Sequence, residues 1–133
     1  MMKKVKIGGV YLFDHSEFTN TMLCYDIDYI NKIVYLVSVD DGAGFNELWF
    51  DTFPYKKFDF RCIECKNIIL EDGSITFFYE LLAKLLHSLI TDKNNNIRLY
   101  DSPSDDIAND IKRNWKIIEE NNPQFKSVYH NFD

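Results

Sequence analysis

The stretch "MLCYDIDYINKIVYLVSV" (22–39) restricts the fold of this chain more than any other segment. Its first half alternates: Leu23, Tyr25, Ile27 and Tyr29 fall on one face of a strand, and Cys24, Asp26 and Asp28 on the other. Its second half, after a short turn at Asn31-Lys32, is apolar on both faces through Ile33, Val34, Tyr35, Leu36 and Val37. A strand that is apolar on both faces must be covered on both, so it belongs in the middle of a sheet. The pair therefore predicts two strands joined by a short turn, the second of them central in the sheet.

Strand signals continue on either side. Residues 6–13 are β-rich and carry Gly8-Gly9, a pair suited to a bulge or tight bend. The run "DDGAG" (40–44) supplies the turn chemistry for a second hairpin, into a strand at 47–50. Residues 51–58 read as irregular because Pro54 cannot donate to a ladder, and 60–70 read as a fifth strand. The period then changes. Phe78, Leu81, Leu82, Leu85, Leu86 and Leu89 recur at steps of three and four, which predicts a helix over 75–91 with Ser74 as its cap. Residues 97–100 read as a short strand returning to the sheet. Ser102, Pro103 and Asp105 have the spacing of a helix start, and Ile107, Ile111, Trp115 and Ile118 mark one face of a helix over 103–121. Acids at its start and Lys112, Arg113 and Lys116 further on suit the helix dipole. The tail either docks through Phe125 and Tyr129 or frays.

Strands followed by helices define the α+β class. The expected architecture is an antiparallel five- to six-stranded sheet, or a small barrel, over about 6–70, followed by the two helices. At 133 residues, this is read as one domain with a β half (1–70) and a mainly helical half (71–133). The strand order over 6–70 resembles a small SH3-like or Tudor-like barrel, in topology and spacing alone. That resemblance implies a peptide-recognition module, with Tyr25, Tyr29, Trp49 and a nearby Asp as an aromatic cage for a methylated cation.

Cys62 and Cys65, in "FRCIECKNIIL", have the C-x-x-C spacing of metal and redox sites. On a strand, however, residues three apart point to opposite faces, with Cα atoms about 10 Å apart. A zinc site would also need more ligands than one pair, and only Cys24 and isolated histidines such as His15 are available. They are read as structural thiols, with a metal set of Cys24, Cys62, Cys65 and His15 as the alternative. No metal or other cofactor is expected. The glycines of "VDDGAGF" lack the Lys-Ser/Thr and following helix of a phosphate loop, "DHS" (14–16) lacks the elbow of a hydrolase, and the acids do not follow a calcium-loop pattern.

Charge decides among partners. The net charge is −6, shared equally between residues 1–60 and 61–133, so no basic stripe exists to neutralise phosphates and direct nucleic-acid binding is not expected. The longest apolar helical run contains Glu80, Lys84 and His87, which argues against a membrane span. The odd cysteine count and the absence of a leader pattern point to the cytoplasm. Aromatics make up 16% of the chain and crowd into 48–60. Together these suggest a small acidic protein that binds a basic protein through Asp26, Asp28, Asp40, Asp41, Trp49, Phe53 and Tyr55. Inhibitors and immunity proteins that cover a nuclease, or a phage or defence factor, share that size and charge. The alternatives are the small-barrel module and an enzyme whose site is assembled from scattered carboxylates and His15.

Overall fold

The computed structural model describes residues 5–14, 19–42, 45–54, 73–91, 97–123 and 125. Five strands form a mixed sheet in sequence order: β1 (Val10–Asp14), β2 (Thr19–Asp28), β3 (Ile33–Gly42), β4 (Phe45–Pro54) and β5 (Ile97–Tyr100). The first four make an antiparallel meander, and β5 lies parallel to β4. Parallel neighbours need a long crossover. Helix α1 (Gly73–Thr91) lies in that connection, and α2 (Ile107–Arg113) and α3 (Trp115–Asn121) follow β5.

The α+β class stands, but the sheet is mixed where an antiparallel one was expected, and further details differ. Among the described residues the sheet is open, with β1 and β5 as its edges, so the barrel alternative fails. The crossover sets β5 beside β4 instead of β1, and helices fill the face a barrel would close around. The second helix is two short helices that break at Asn114. It also starts later than its sequence suggests. Ser102 Oγ donates to the Ser104 carbonyl, and Ser104 Oγ accepts the Asp106 N–H, so this segment forms serine-stabilised turns and the helix opens at Ile107. Pro54 does not interrupt β4 early either. The strand runs through Thr52 and Phe53 and ends at Pro54, opposite Ile33, where the missing donor costs least. The expected strand at 60–70 lies outside the described residues.

Strand β3 is central, and Val34, Leu36 and Val37 are fully buried, as its two apolar faces require. One face of the sheet packs Leu23, Tyr25, Val37, Leu48 and Phe50 against Leu82, Leu85 and Leu86 of α1 and Ile107, Ile111 and Ile118 of the shorter helices. Phe125 is buried in the same cluster and packs beside Trp115. The other face gathers Tyr11, Met22, Cys24, Ile27, Val34, Leu36 and Phe53.

Strand β2 carries a bulge. Cys24 pairs with Leu36, and Asp26 pairs with Tyr35, which leaves Tyr25 as the extra residue. Because side chains alternate, one inserted residue exchanges the faces of everything after it. Ile27 therefore joins Cys24 on the second face, and Asp26 and Asp28 come to the helix side. Regular alternation had predicted the reverse.

The segment before β1 is held between β2 and α3. Gly8 N–H donates to the Cys24 carbonyl, and Cys24 N–H to the Gly9 carbonyl. Asn121 and Asn122 donate side-chain N–H groups to the carbonyls of Ile7 and Gly8. Gly8 has φ +89°, and a Cβ there would lie 2.9 Å from Asn121 Cβ and 3.2 Å from Ile118 Cα. Gly8→Ala should destabilise the protein by about 1–3 kcal/mol, through left-handed strain together with this close approach. Urea denaturation against the unsubstituted protein measures it.

Candidate functional site

The hairpin of β2 and β3 ends in a four-residue loop, Tyr29 to Lys32. Asp28 builds it: its Oδ1 accepts the backbone N–H groups of Ile30 and Asn31, and its Oδ2 accepts the Asn31 side chain at 2.8 Å. This is an Asx-type turn, and Lys32 closes it with φ 57°. Tyr29 and Ile30 sit at its tip, 67% and 91% exposed, as the most open large apolar residues in the described structure.

Beside this tip lies a cleft of about 540 Å³, within the roughly 300–1,000 Å³ range of ligand sites. The hairpin provides one wall through Tyr25, Asp26, Asp28, Tyr29, Ile30 and Tyr35. The other wall comes from Pro103, Ser104 and the α2–α3 junction, with Asp110, Arg113 and Asn114. Asn114 locks the two walls together. Its Nδ2 donates to the Tyr25 carbonyl at the bulge and to Asp26 Oδ1, both at 3.0 Å. Asp26 Oδ1 also accepts the Ile27 N–H. Arg113 Nη2 lies 2.6 Å from Asp110 Oδ1 and 4.0 Å from Asp26 Oδ2.

Tyr25 is 1% exposed, and its hydroxyl has no hydrogen-bond partner among the described residues. Its ring meets Phe50 edge-on and Tyr35 at a tilt. Burial, reinforced by the negative charge of Asp110 and Asp26, pushes its ionisation well above the ordinary phenol range. The hydroxyl therefore stays neutral and can accept as well as donate a hydrogen bond.

The acids named from sequence divide between the ends of the sheet. Asp26 and Asp28 share the cleft. Asp40 and Asp41 lie near the far end of β3, opposite Glu47 and Asn46, with Asp40 about 23 Å from Ile33 at the strand rise of roughly 3.3 Å per residue. Trp49 is on β4, 38% exposed, stacked on Tyr100 of β5 at 4.4 Å, and its indole donates to Glu47. It does not line the cleft, so the aromatic cage of Tyr25, Tyr29 and Trp49 is not assembled. Phe53 is buried in the second core cluster. Tyr55, His15, Cys62 and Cys65 lie outside the described residues. Cys24 is a buried free thiol whose ionisation is pushed up, first by burial. Among the described residues no three metal-ligating side chains cluster.

Sequence reasoning missed Tyr35, Asp110, Arg113 and Asn114. The apolar pattern of 33–37 places Tyr35 in the core. Asp110 and Arg113 have the i,i+3 spacing of a surface ion pair. Asn114, a poor helix former in mid-helix, was a visible signal that the helix could break there.

Asp28 is poorly suited to acid–base work at neutral pH. Asp28 is committed to its turn, and the hydrogen bonds from Asn31 and Ile30 hold its carboxyl below the ordinary range, away from the neutral pH at which a general acid or base works. No helix among the described residues is long and apolar enough to cross a membrane.

Two measurements follow. Tyr25→Phe removes a buried hydroxyl that lacks a partner, so folding stability should be unchanged or rise by about 1 kcal/mol; thermal and urea unfolding test this. Asp28 should titrate below an ordinary aspartate, followed through the Ile30 and Asn31 amides by NMR. The sign is that of a lowered carboxyl: its stabilisation is complete above the unfolded-state value and is lost as pH falls through the folded one. Asp28→Asn should abolish that transition. Comparison with known proteins finds no matching family model, no matching curated protein and no matching solved structure.

Proposed function

We propose that this chain is a small acidic binding protein that holds a basic protein partner at the β2–β3 hairpin tip and the adjoining cleft. It would act as a non-catalytic inhibitor or immunity-type partner that covers its target, such as a nuclease or a phage or defence factor. The observation that carries the reading is the meeting of two kinds of surface. Tyr29 and Ile30 stand out from the hairpin tip, beside a cleft lined by Asp26, Asp28 and Asp110. Apolar and aromatic side chains that insert into a partner supply most of an interface's affinity. Surrounding charge of one sign steers the encounter and selects a partner of the opposite sign. The net charge of −6 acts in the same direction over longer range.

A second reading, a module that recognises one side chain of a peptide, is favoured by the tyrosines 25, 29 and 35 gathered with carboxylates around one concavity. It differs in how much of the partner is covered, and the chemistry of the cleft is common to both.

The test is retention of a partner from native cell lysate at low and high salt. The unsubstituted protein should retain a basic protein, with retention falling at high salt. A Tyr29→Ala/Ile30→Ser variant, altered only at exposed positions, should lose about thirtyfold in affinity, on the order of 2 kcal/mol. Failure to retain a protein at either salt, or equal retention by the variant, overturns the proposal.

A further inference from the structure

We propose that the cleft receives an arginine side chain of the partner, its guanidinium bridging Asp26 and Asp110 with the Tyr25 hydroxyl beside it. This inference rests on the binding reading above and names the group that is bound.

Acceptors remain available after the internal hydrogen bonds are counted. Asp26 Oδ1 is taken by the Ile27 N–H and by Asn114, while Oδ2 stands 4.0 Å from Arg113, beyond hydrogen-bonding distance. Asp110 Oδ1 is taken by Arg113, and its second oxygen accepts no hydrogen bond among the described residues. Asp28 gives three of its roughly four acceptor positions to its own turn, so it contributes mainly its charge. Three carboxylates against the single guanidinium of Arg113 leave the cleft net negative.

The second observation is independent of these acids. Tyr25 lines the cleft, is 1% exposed and has a hydroxyl without a partner among the described residues. Buried polar groups are nearly always hydrogen-bonded, and the charges of Asp110 and Asp26 act on this hydroxyl, so it marks a position for an incoming polar group near those acids.

The arrangement favours arginine over the other cations. A guanidinium carries five N–H donors in a rigid plane, suited to carboxylates on two separate walls, and its flat faces stack on aromatic rings. Tyr29 and Tyr35 line the same space. A lysine ammonium is a compact, strongly hydrated charge that gains less from such a site. A trimethylated amine has no N–H donor and would leave the Tyr25 hydroxyl and both free carboxylate oxygens unmet. Arg113 already pairs with Asp110 as an i,i+3 helix neighbour, while its side chain remains 63% exposed. An exposed pair of this kind is weak, so Arg113 can be displaced toward solvent when a partner arginine enters.

The probe is the peptide acetyl-Gly-Arg-Gly-amide, titrated into ¹⁵N-labelled protein. Saturable shifts should concentrate at residues 25–31 and 110–114. Replacing arginine with citrulline, a neutral isostere, should weaken binding by about tenfold or more, as loss of charge-assisted bonds requires. Lysine and trimethyl-lysine peptides should bind more weakly than arginine. Three variants test the assignment atom by atom. Asp110→Asn should weaken the arginine peptide. Arg113→Ala should tighten it about two- to fivefold by removing an internal competitor. Tyr25→Phe should weaken it while the protein stays as stable or becomes more so, a combination that a purely structural Tyr25 would not produce. An arginine titration without saturable shifts, a citrulline peptide that binds equally, or a trimethyl-lysine peptide that binds as well or better overturns the inference. Any of these results alongside a salt-sensitive partner in the lysate experiment removes the arginine assignment and leaves the binding reading intact.

Discussion

The extra residue at Tyr25 in β2 is the constraint on which the cleft depends. Without it, Asp26 and Asp28 would face the side of the sheet that gathers Cys24, Val34 and Leu36. Burying carboxylates there without partners would be costly. With it, both acids reach the helix side, and Ile27 takes the apolar position they vacate. One inserted residue thus resolves a conflict between the pattern of β2 and the two apolar faces of β3.

A bulge disturbs the local ladder, and the structure compensates from a distant part of the chain. Asn114, 89 positions further on, donates to the Tyr25 carbonyl and to Asp26. It can do so because the helix breaks there: α2 ends at Arg113 and α3 begins at Trp115. Ile107 and Ile111 on one side of the break, and Ile118 on the other, are all buried in the same core cluster. The break, the bulge and the cleft are therefore linked through one side chain. The same link brings Asp110 and Arg113 into position opposite Asp26.

Much of the build was legible because it follows from periodicity. The two-faced apolar run of β3 placed it centrally, the steps of three and four fixed α1, and "IRLY" was a strand. Errors arose where a local signal competed with a tertiary one. Ser102-Pro103 has good helix-start spacing, yet its serines satisfy turns instead. Pro54 is a strand breaker, yet it ends a long strand without disturbing it. The expected partner-binding residues came out divided for the same reason. Alternation alone cannot reveal a bulge, and it does not show that Trp49 stacks on Tyr100 of β5 and not beside Tyr29.

The sequence by itself determined the α+β class, the meander, the helical stripe of α1 and the acidic balance, all of which rest on local period and composition. Only the tertiary structure decided that the sheet is open, that β5 joins it in parallel, and that Asp26 and Asp28 face the helices. Those outcomes depend on contacts between residues far apart in the chain, such as Asn114 with Tyr25, whose free energy no local window contains. The cleft belongs to this second group, because its two walls come from segments separated by more than half the chain and meet only when the helices pack on the sheet.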